Sequence, residues 1–406
     1  MPHLASESWW SRVEMGPPDV MLRIGEAYDR DPRTLKVDLS AGVYRDYSGK
    51  PWVLPSVRKA EMKLAAKNLD KEYLPIAGYR DFCLNSVKLA LGEESELLAE
   101  GRVAMVQGVA GIGALRVWLE FVAKYHEGPK EVWISDPSYG NHEPVLKHLG
   151  PVKIYRYYDP KTKALDYEGL LEDISRMPEG SIILLHPSSH NPSGVDPTPK
   201  QWAGISKALK KGKIFPLIDM AYQGLKSGDL DKDAASVRLF ASDGHQFALV
   251  QTYSKNLGLY GERVGCLSMV TANREETQRV ESQLRIVIRT MYSCPPLHGI
   301  RIANEVFTDP ELKAQWLRDI KVMTDRLADA RKGLKEALDK TGSKLNWDHV
   351  ISQVGMFCYT GLNPEEVKRM REDHGVYAST DGRISISGIT PANVELVATA
   401  LHEATK

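Results

Sequence analysis

Between residues 103 and 269 the chain alternates short apolar runs with stretches of helical spacing, and this alternation restricts its fold more than any other feature. The runs are 103–106, 132–135, 152–155, 182–185, 214–218, 247–250 and 265–269. Apolar residues recur at helical spacing over 113–125, between the first two runs, and a helical stretch at 200–211 lies between the fourth and fifth. A short apolar run bounded by turns reads as a strand buried on both faces, and strands joined through helices pair in parallel. The expected fold is α/β, a mostly parallel seven-stranded sheet with helices on both sides. From Asp309 the pattern changes. Residues 310–341 read as one long amphipathic helix, followed by strand-like runs at 355–361 and 383–387 and a terminal helix from Pro391. That part is expected to be a smaller α+β domain, with Met15-Gly16-Pro17-Pro18-Asp19 marking the end of an N-terminal arm.

In open parallel sheets the ligand sits at the carboxyl ends of the strands. Four polar residues fall there: Asp136, His186, Asp219 and Lys255. Lys255 follows an apolar strand, and an ammonium buried there is costly. Such a lysine tends to be neutral, paired or used covalently, and a neutral amine condenses with carbonyls. Thr252 and Ser254 precede it, and Arg263 follows in a glycine-rich segment. An amine beside hydroxyls and an arginine suits a carbonyl cofactor that carries a phosphate, namely pyridoxal 5'-phosphate. The competing reading is a solvated surface lysine. Asp219 can pair with a pyridinium nitrogen, or simply cap a helix. Tyr222 lies three residues on. The loop His186-Pro187-Ser188-Ser189-His190-Asn191-Pro192-Ser193-Gly194 is turn-rich; Asn191 can donate to a phenolate, and His190 can orient Asp219 from behind.

Gln107-Gly108-Val109-Ala110-Gly111-Ile112-Gly113 joins a strand to a helix, where backbone N–H groups bind phosphate. With Asp136 roughly 20 residues on, it also permits a nicotinamide-dependent oxidoreductase, although the glycines run G-x-x-G-x-G. That rival leaves Lys255, Arg263 and the Asn191 loop without roles. Arg289 and Arg383 are candidates for reading carboxylates through paired hydrogen bonds; otherwise they are surface ion pairs.

Lys and Arg total 53 and Asp and Glu 53, a net charge of zero, which points away from nucleic acid and anionic membranes. No apolar stretch is long enough to span a bilayer. The start carries neither signal-peptide nor transit-peptide character, so the cytoplasm is the expected compartment, with the mitochondrial matrix as the alternative. The four cysteines show no CxxC spacing, so no metal is expected.

Several segments are distinctive together: Ser8-Trp9-Trp10, Val13-Glu14-Met15-Gly16-Pro17-Pro18-Asp19, residues 49–61, Asp219-Met220-Ala221-Tyr222-Gln223-Gly224, residues 252–265, 352–361 and 381–387. On these the chain resembles the class I (fold type I) aminotransferases, and among them the eukaryotic aspartate aminotransferases, over nearly its whole length. The resemblance implies a homodimer that transaminates between L-aspartate and 2-oxoglutarate through pyridoxal phosphate. Lys255 would carry the internal aldimine and shuttle the proton, and Asp219 would hold the pyridinium. Tyr222 and Asn191 would contact the phenolate oxygen. Arg263, Thr252 and the amide of Gly111 would hold the phosphate, with Tyr73 reaching it from the neighbouring subunit. Arg383 would bind the α-carboxylate and Arg289 the distal one across the interface, with Gly42 lining that pocket. Tyr139 would stack on the cofactor, and His142 and His190 would stand behind it. It further implies an arm over 1–14 burying Trp9 or Trp10 on the other subunit, a large domain over 48–324, and a small domain from 15–47 and 325–406.

Departures from that pattern gather at the cofactor. Ala110-Gly111-Ile112 stands where the family reads Ser-Gly-Thr, Tyr139 where it has tryptophan, and Ser293-Cys294-Pro295-Pro296 where it has Ser-Asn-Pro-Pro. One lost hydrogen bond to an anion is worth roughly 1.5–3 kcal/mol, about a 10- to 150-fold weaker hold. The second reading is therefore a diverged paralogue acting on an acidic amino acid by decarboxylation, β-elimination or replacement, or on a sulfinate or sulfonate analogue.

Overall fold

The computed structural model describes residues 8–406; residues 1–7, where the start of the expected arm falls, lie outside the described residues. The seven apolar runs are all strands: β1 Val103–Val109, β2 Val132–Asp136, β3 Val152–Arg156, β4 Ile182–Leu185, β5 Phe215–Met220, β6 Ala248–Thr252 and β7 Val264–Val270. They form one sheet in the order β1-β7-β6-β5-β4-β2-β3. Only β7 runs against its neighbours, pairing antiparallel with both β1 and β6. Residues alternate between the two faces. Ala104, Val106, Ile134, Leu184, Leu217, Val250 and Leu267 join one buried cluster, and Val103, Met105, Ile183, Leu185, Ile218 and Leu249 the other. Burial on both sides is why these strands read as unbroken apolar runs.

Several strands run past their apolar stretch. β1 and β6 continue through Gln107 and Gln251 because pairing with β7 extends to Val109 and Thr252. Ladder hydrogen bonds use the backbone, so a polar side chain does not end a strand if it finds partners. Gln107 Nε2 donates to the Pro296 carbonyl at 2.7 Å and Oε1 accepts from Tyr79 N at 3.0 Å. Gln251 Nε2 donates to the Ser86 carbonyl at 2.9 Å.

Helix α1, Ala110–Tyr125, leaves β1 with no intervening loop. The glycines of this turn serve packing. A Cβ on Gly108 would lie 2.6 Å from the Ala114 Cβ, and one on Gly113 2.8 Å from the Val109 Cβ. This accounts for the glycine spacing without a dinucleotide.

The long helix α2, Pro310–Lys340, has Asp309 as N-cap, accepting from Glu311 N and Leu312 N, and proline in its first turn. Its Trp316 Nε1 donates to the Asn256 carbonyl at 2.8 Å, tying α2 to the loop that carries Lys255. The two ends of the chain meet: Val37–Asp38 pairs in parallel with Val376–Tyr377. Phe357–Tyr359 pairs antiparallel with Arg383–Ser385. The expected strand over 383–387 is shorter, because Ile386–Gly388 turns into a 3₁₀ helix. Ser387 Oγ is drawn to the Val43 carbonyl at 2.8 Å. The terminal helix starts at Val394, after Asn393 Oδ1 accepts from Thr390 N at 2.7 Å. Among the described residues no helix is long and apolar enough to cross a membrane.

Candidate active site

The carboxyl ends of the parallel strands open into a cavity of about 510 Å³ lined by residues far apart in the chain, including Gly42, Gly111, Asp219, Lys255 and Arg383. Asp219, one residue from the end of β5, faces it. His142, fully buried, holds that carboxylate through Nε2, 2.9 Å from Oδ2. Ser138 Oγ sits 2.9 Å from His142 Nδ1. A serine hydroxyl donating to Nδ1 leaves Nε2–H to donate to Asp219, which fixes the imidazole tautomer. The expectation that His190 orients Asp219 is corrected here. Both His190 nitrogens are taken, by Ser135 at 2.9 Å and Ser193 at 2.7 Å, and its ring stacks on Tyr157 at 4.0 Å. Burial keeps His190 neutral, far below the usual imidazole range.

Asn191 and Tyr222 meet above Asp219: Asn191 Nδ2 donates to Tyr222 Oη at 3.3 Å. Burial pushes the Tyr222 phenol up, with the Arg383 charge opposing it. Arg383 donates from Nη2 to the Ser40 carbonyl at 2.9 Å and from Nη1 to Asn191 Oδ1 at 3.4 Å. Its guanidinium lies 4.4 Å over the Phe357 ring, and its buried Nε has no partner among the described residues. A buried cation with a free donor and no carboxylate is arranged to receive an anion.

Lys255 lies in the loop after β6. Its Nζ donates to the Gly42 carbonyl at 2.6 Å. Burial, then the charges of Arg383 and Arg263, bring its amine down to about 8. That is the behaviour expected of an amine used as nucleophile or base.

At the other end of the cavity the N-terminus of α1 is open. Its N-cap, Val109, offers no side-chain acceptor, so the N–H groups that follow Ala110 are available to an anion. Thr252, Ser254 and Arg263 line the same end. Ala110 and Arg263 both hold left-handed backbone (φ 56° and 55°), and Ala110 N donates to the Arg263 carbonyl at 2.9 Å. Two non-glycine residues in that region, bonded to each other, hold the turn and the arginine in register. A Cβ on Gly111 would press to 3.3 Å from the Thr252 Cβ. Ile112 contributes an apolar surface here, and Tyr139 forms a wall with its hydroxyl accepting from Asn141 Nδ2 at 2.9 Å.

Three sequence candidates stay outside this chain's cavity. Tyr73 is 89% exposed. Arg289 is on the surface, donating to Ser293 Oγ at 3.0 Å. Asp136 is exposed and does not line the cavity, so it has no ribose to read there and the oxidoreductase reading fails. Two residues without a role in the sequence reading line the cavity. His186 is buried and pushed down to about 3, chiefly by burial, and its Nε2 has no partner among the described residues. Tyr260 touches Lys255 with its ring face. Nothing local marked Tyr260 beyond its place five residues after Lys255.

The model of the family Aminotransferase class I and II matches residues 34–401. The mitochondrial aspartate aminotransferase of Xenopus tropicalis is 50% identical over 402 residues, spanning 99% of this chain and 94% of its own. That of Gallus gallus is 49% identical over 402 residues, spanning 99% and 95%. Among solved structures, an aromatic-amino-acid aminotransferase from Burkholderia pseudomallei covalently bound to pyridoxal phosphate superposes with a TM-score of 0.96 at 39% identity, covering 98% of this chain and 100% of that one. The aspartate aminotransferase from Saccharomyces cerevisiae cytoplasm gives 0.94 at 40% identity, covering 98% of each. A strand-borne carboxylate, an amine brought down by burial and an open helix terminus in one cavity, with similarity along the whole chain, have one origin: the protein is a member of the class I and II aminotransferase family.

Proposed function

We propose that this protein is a pyridoxal 5'-phosphate-dependent transaminase that moves an amino group between L-aspartate and 2-oxoglutarate, giving oxaloacetate and L-glutamate in two ping-pong half-reactions. The observation that carries this is the meeting of Lys255, Asp219 and Arg383 in one cavity whose far end is an open helix terminus beside Arg263. That donor set fits the cofactor part for part: an anion cradle, a carboxylate for a ring nitrogen, two donors for a phenolate oxygen and an amine for a carbonyl. When bound, the cofactor supplies a conjugated ring that accepts the electron pair left at the substrate α-carbon. The chain's residues do the rest. Asp219, steadied by His142, keeps a proton on the ring nitrogen. Tyr222 and Asn191 donate to the ring oxygen. Arg263, Thr252 and the Gly111 amide hold the phosphate. Tyr139 covers the ring face and Gly42 lines the substrate end. Arg383 takes the α-carboxylate, spending its free Nε donor. Lys255 Nζ, brought down toward neutrality by burial, would take up the proton of the substrate α-carbon and hold it for return.

Two further groups come from a second copy. Arg289 of the partner subunit would receive the distal carboxylate and Tyr73 of the partner subunit would reach the phosphate; in its own chain neither side chain has work in the cavity. Exposed Trp9 and Trp10 support an arm over 1–14 that packs on that partner. We assign 48–324 to a large domain and 15–47 with 325–406 to a small one that closes over substrate. The Xenopus and Gallus relatives are mitochondrial by name, which supports the matrix over the cytoplasm.

A second reading is favoured by Ala110, Ile112 and Tyr139, which all line the cavity and all depart from the resemblance. In it the same machinery performs another reaction on an acidic amino acid. One titration separates the two. Visible absorption is recorded with added pyridoxal phosphate, then aspartate, then 2-oxoglutarate. Bleaching by aspartate and return with 2-oxoglutarate support transamination. A band that aspartate leaves intact overturns it and favours the second reading.

A further inference from the structure

Lys255 must be held in place during the part of the cycle in which its amine is free. The charges acting on it are those of Arg383 and Arg263, and both oppose its protonated form. Two contacts favour that form: the Gly42 carbonyl at 2.6 Å and the face of the Tyr260 ring, 4.9 Å from Nζ to the centroid. These contacts are joined. Tyr260 Oη accepts from Tyr44 N at 2.8 Å, two residues from the carbonyl that Nζ bonds. The Tyr260 carbonyl accepts from Arg263 Nη1 at 2.9 Å, so the same residue also touches the anion-end arginine. There is little slack, because a Cβ on Gly42 would already lie 3.2 Å from Phe357 Cζ and 3.6 Å from Nζ. A cation over an aromatic face is attracted by the ring quadrupole, more so where water is excluded.

We infer that Tyr260 is a positioning residue for the Lys255 amine: its ring holds the ammonium, and its hydroxyl holds the segment whose carbonyl that ammonium bonds. The inference rests on the reading of Lys255 as the group that carries the proton.

The test uses Tyr260→Phe and Tyr260→Leu in the full-length protein. In the cofactor-free form, labelling of Lys255 by an aryl sulfonate is followed against pH by mass spectrometry. The ring favours the charged amine, so Tyr260→Leu lowers the labelling midpoint by roughly half to one pH unit, while Tyr260→Phe keeps it. In the holoenzyme Tyr260→Leu lowers kcat about 10- to 100-fold with little change in KM and raises the isotope effect of α-deuterated substrate. Tyr260→Phe, which loses only the Tyr44 bond, lowers kcat about 3- to 10-fold. An unchanged midpoint and isotope effect in Tyr260→Leu overturn the inference, even if activity falls. Lys255→Ala separates the two failures. If it still turns over, the reading of Lys255 is wrong. If it is dead and Tyr260→Leu behaves as wild type, only the role of Tyr260 is wrong.

Discussion

A lysine amine at about 8 has a definite sign in the pH dependence of the cofactor-free protein. Its native value lies below the unfolded one, so the folded state prefers the neutral amine. The group opposes folding below about pH 8, and that penalty is relieved as pH rises from 8 toward 10.5. The rate at which Lys255 condenses with a carbonyl reagent is expected to rise with a midpoint near 8, which a spectrophotometric rate–pH profile checks. Lys255→Ala is expected to abolish turnover while the protein still retains the cofactor non-covalently, as equilibrium dialysis would show; undiminished turnover would remove Lys255 from the mechanism. The type and place of Lys255, Asp219 and Arg383 were legible because each sits beside an apolar strand or in a distinctive segment. Tyr260 was not, since a tyrosine in a glycine-rich loop carries no mark of the ring contact it makes.

At the scale of elements, the N-terminus of α1 and the middle of α2 carry separate predictions. Ile112 and Ala110 bring no hydroxyl to the anion end of the cavity. The Ala110→Ser, Ile112→Thr pair is expected to tighten cofactor binding by about 10- to 150-fold, measured as a dissociation constant. No tightening would mean that the helix N–H groups, Arg263 and Thr252 already saturate the phosphate. In α2, Trp316 is wholly buried and donates to the Asn256 carbonyl. Trp316→Phe is expected to cost roughly 1–3 kcal/mol through the unpaired carbonyl, and Trp316→Ala about 3–5 kcal/mol, read from denaturant midpoints. Because Asn256 adjoins Lys255, both changes should also loosen the catalytic loop. The strands were legible from their apolar runs, but not where β1 and β6 continue through glutamines, since pairing with β7 is a long-range fact. The 3₁₀ turn after Ser385 was missed for the same reason: Ser387 answers to Val43, 344 residues away.

For the whole molecule, the proposed second copy is directly testable. A dimer of one Lys255→Ala chain and one Arg289→Ala chain has one site with both residues intact if Arg289 works across the interface. Co-expression should then recover about a quarter of wild-type activity, although each variant alone is inactive toward aspartate. No recovery would place Arg289 in its own chain's site or in none. Stability should fall in acid. Burial holds His186 at about 3 and His349 at about 4, and keeps His190 neutral. Their native values lie below the unfolded one, so their contribution is fully present above about pH 6.5 and is lost as pH drops toward 3. Melting temperature against pH in the cofactor-free protein should decline through that window, less steeply in a His349→Asn variant.

The chain's own order determined that it would build a mostly parallel sheet and would bring a lysine and an aspartate to the places where such sheets bind ligands. Burial on both faces makes a strand unbroken and apolar, and a polar residue ending such a run stands out in the sequence. Tertiary structure alone decided which histidine steadies Asp219 and where the Lys255 amine rests. His142 reaches Asp219 across 77 residues, and Lys255 reaches Gly42 across 213. Local patterns report the preferences of neighbours along the chain. Those two contacts exist only because the fold brings segments distant in the chain to one cavity.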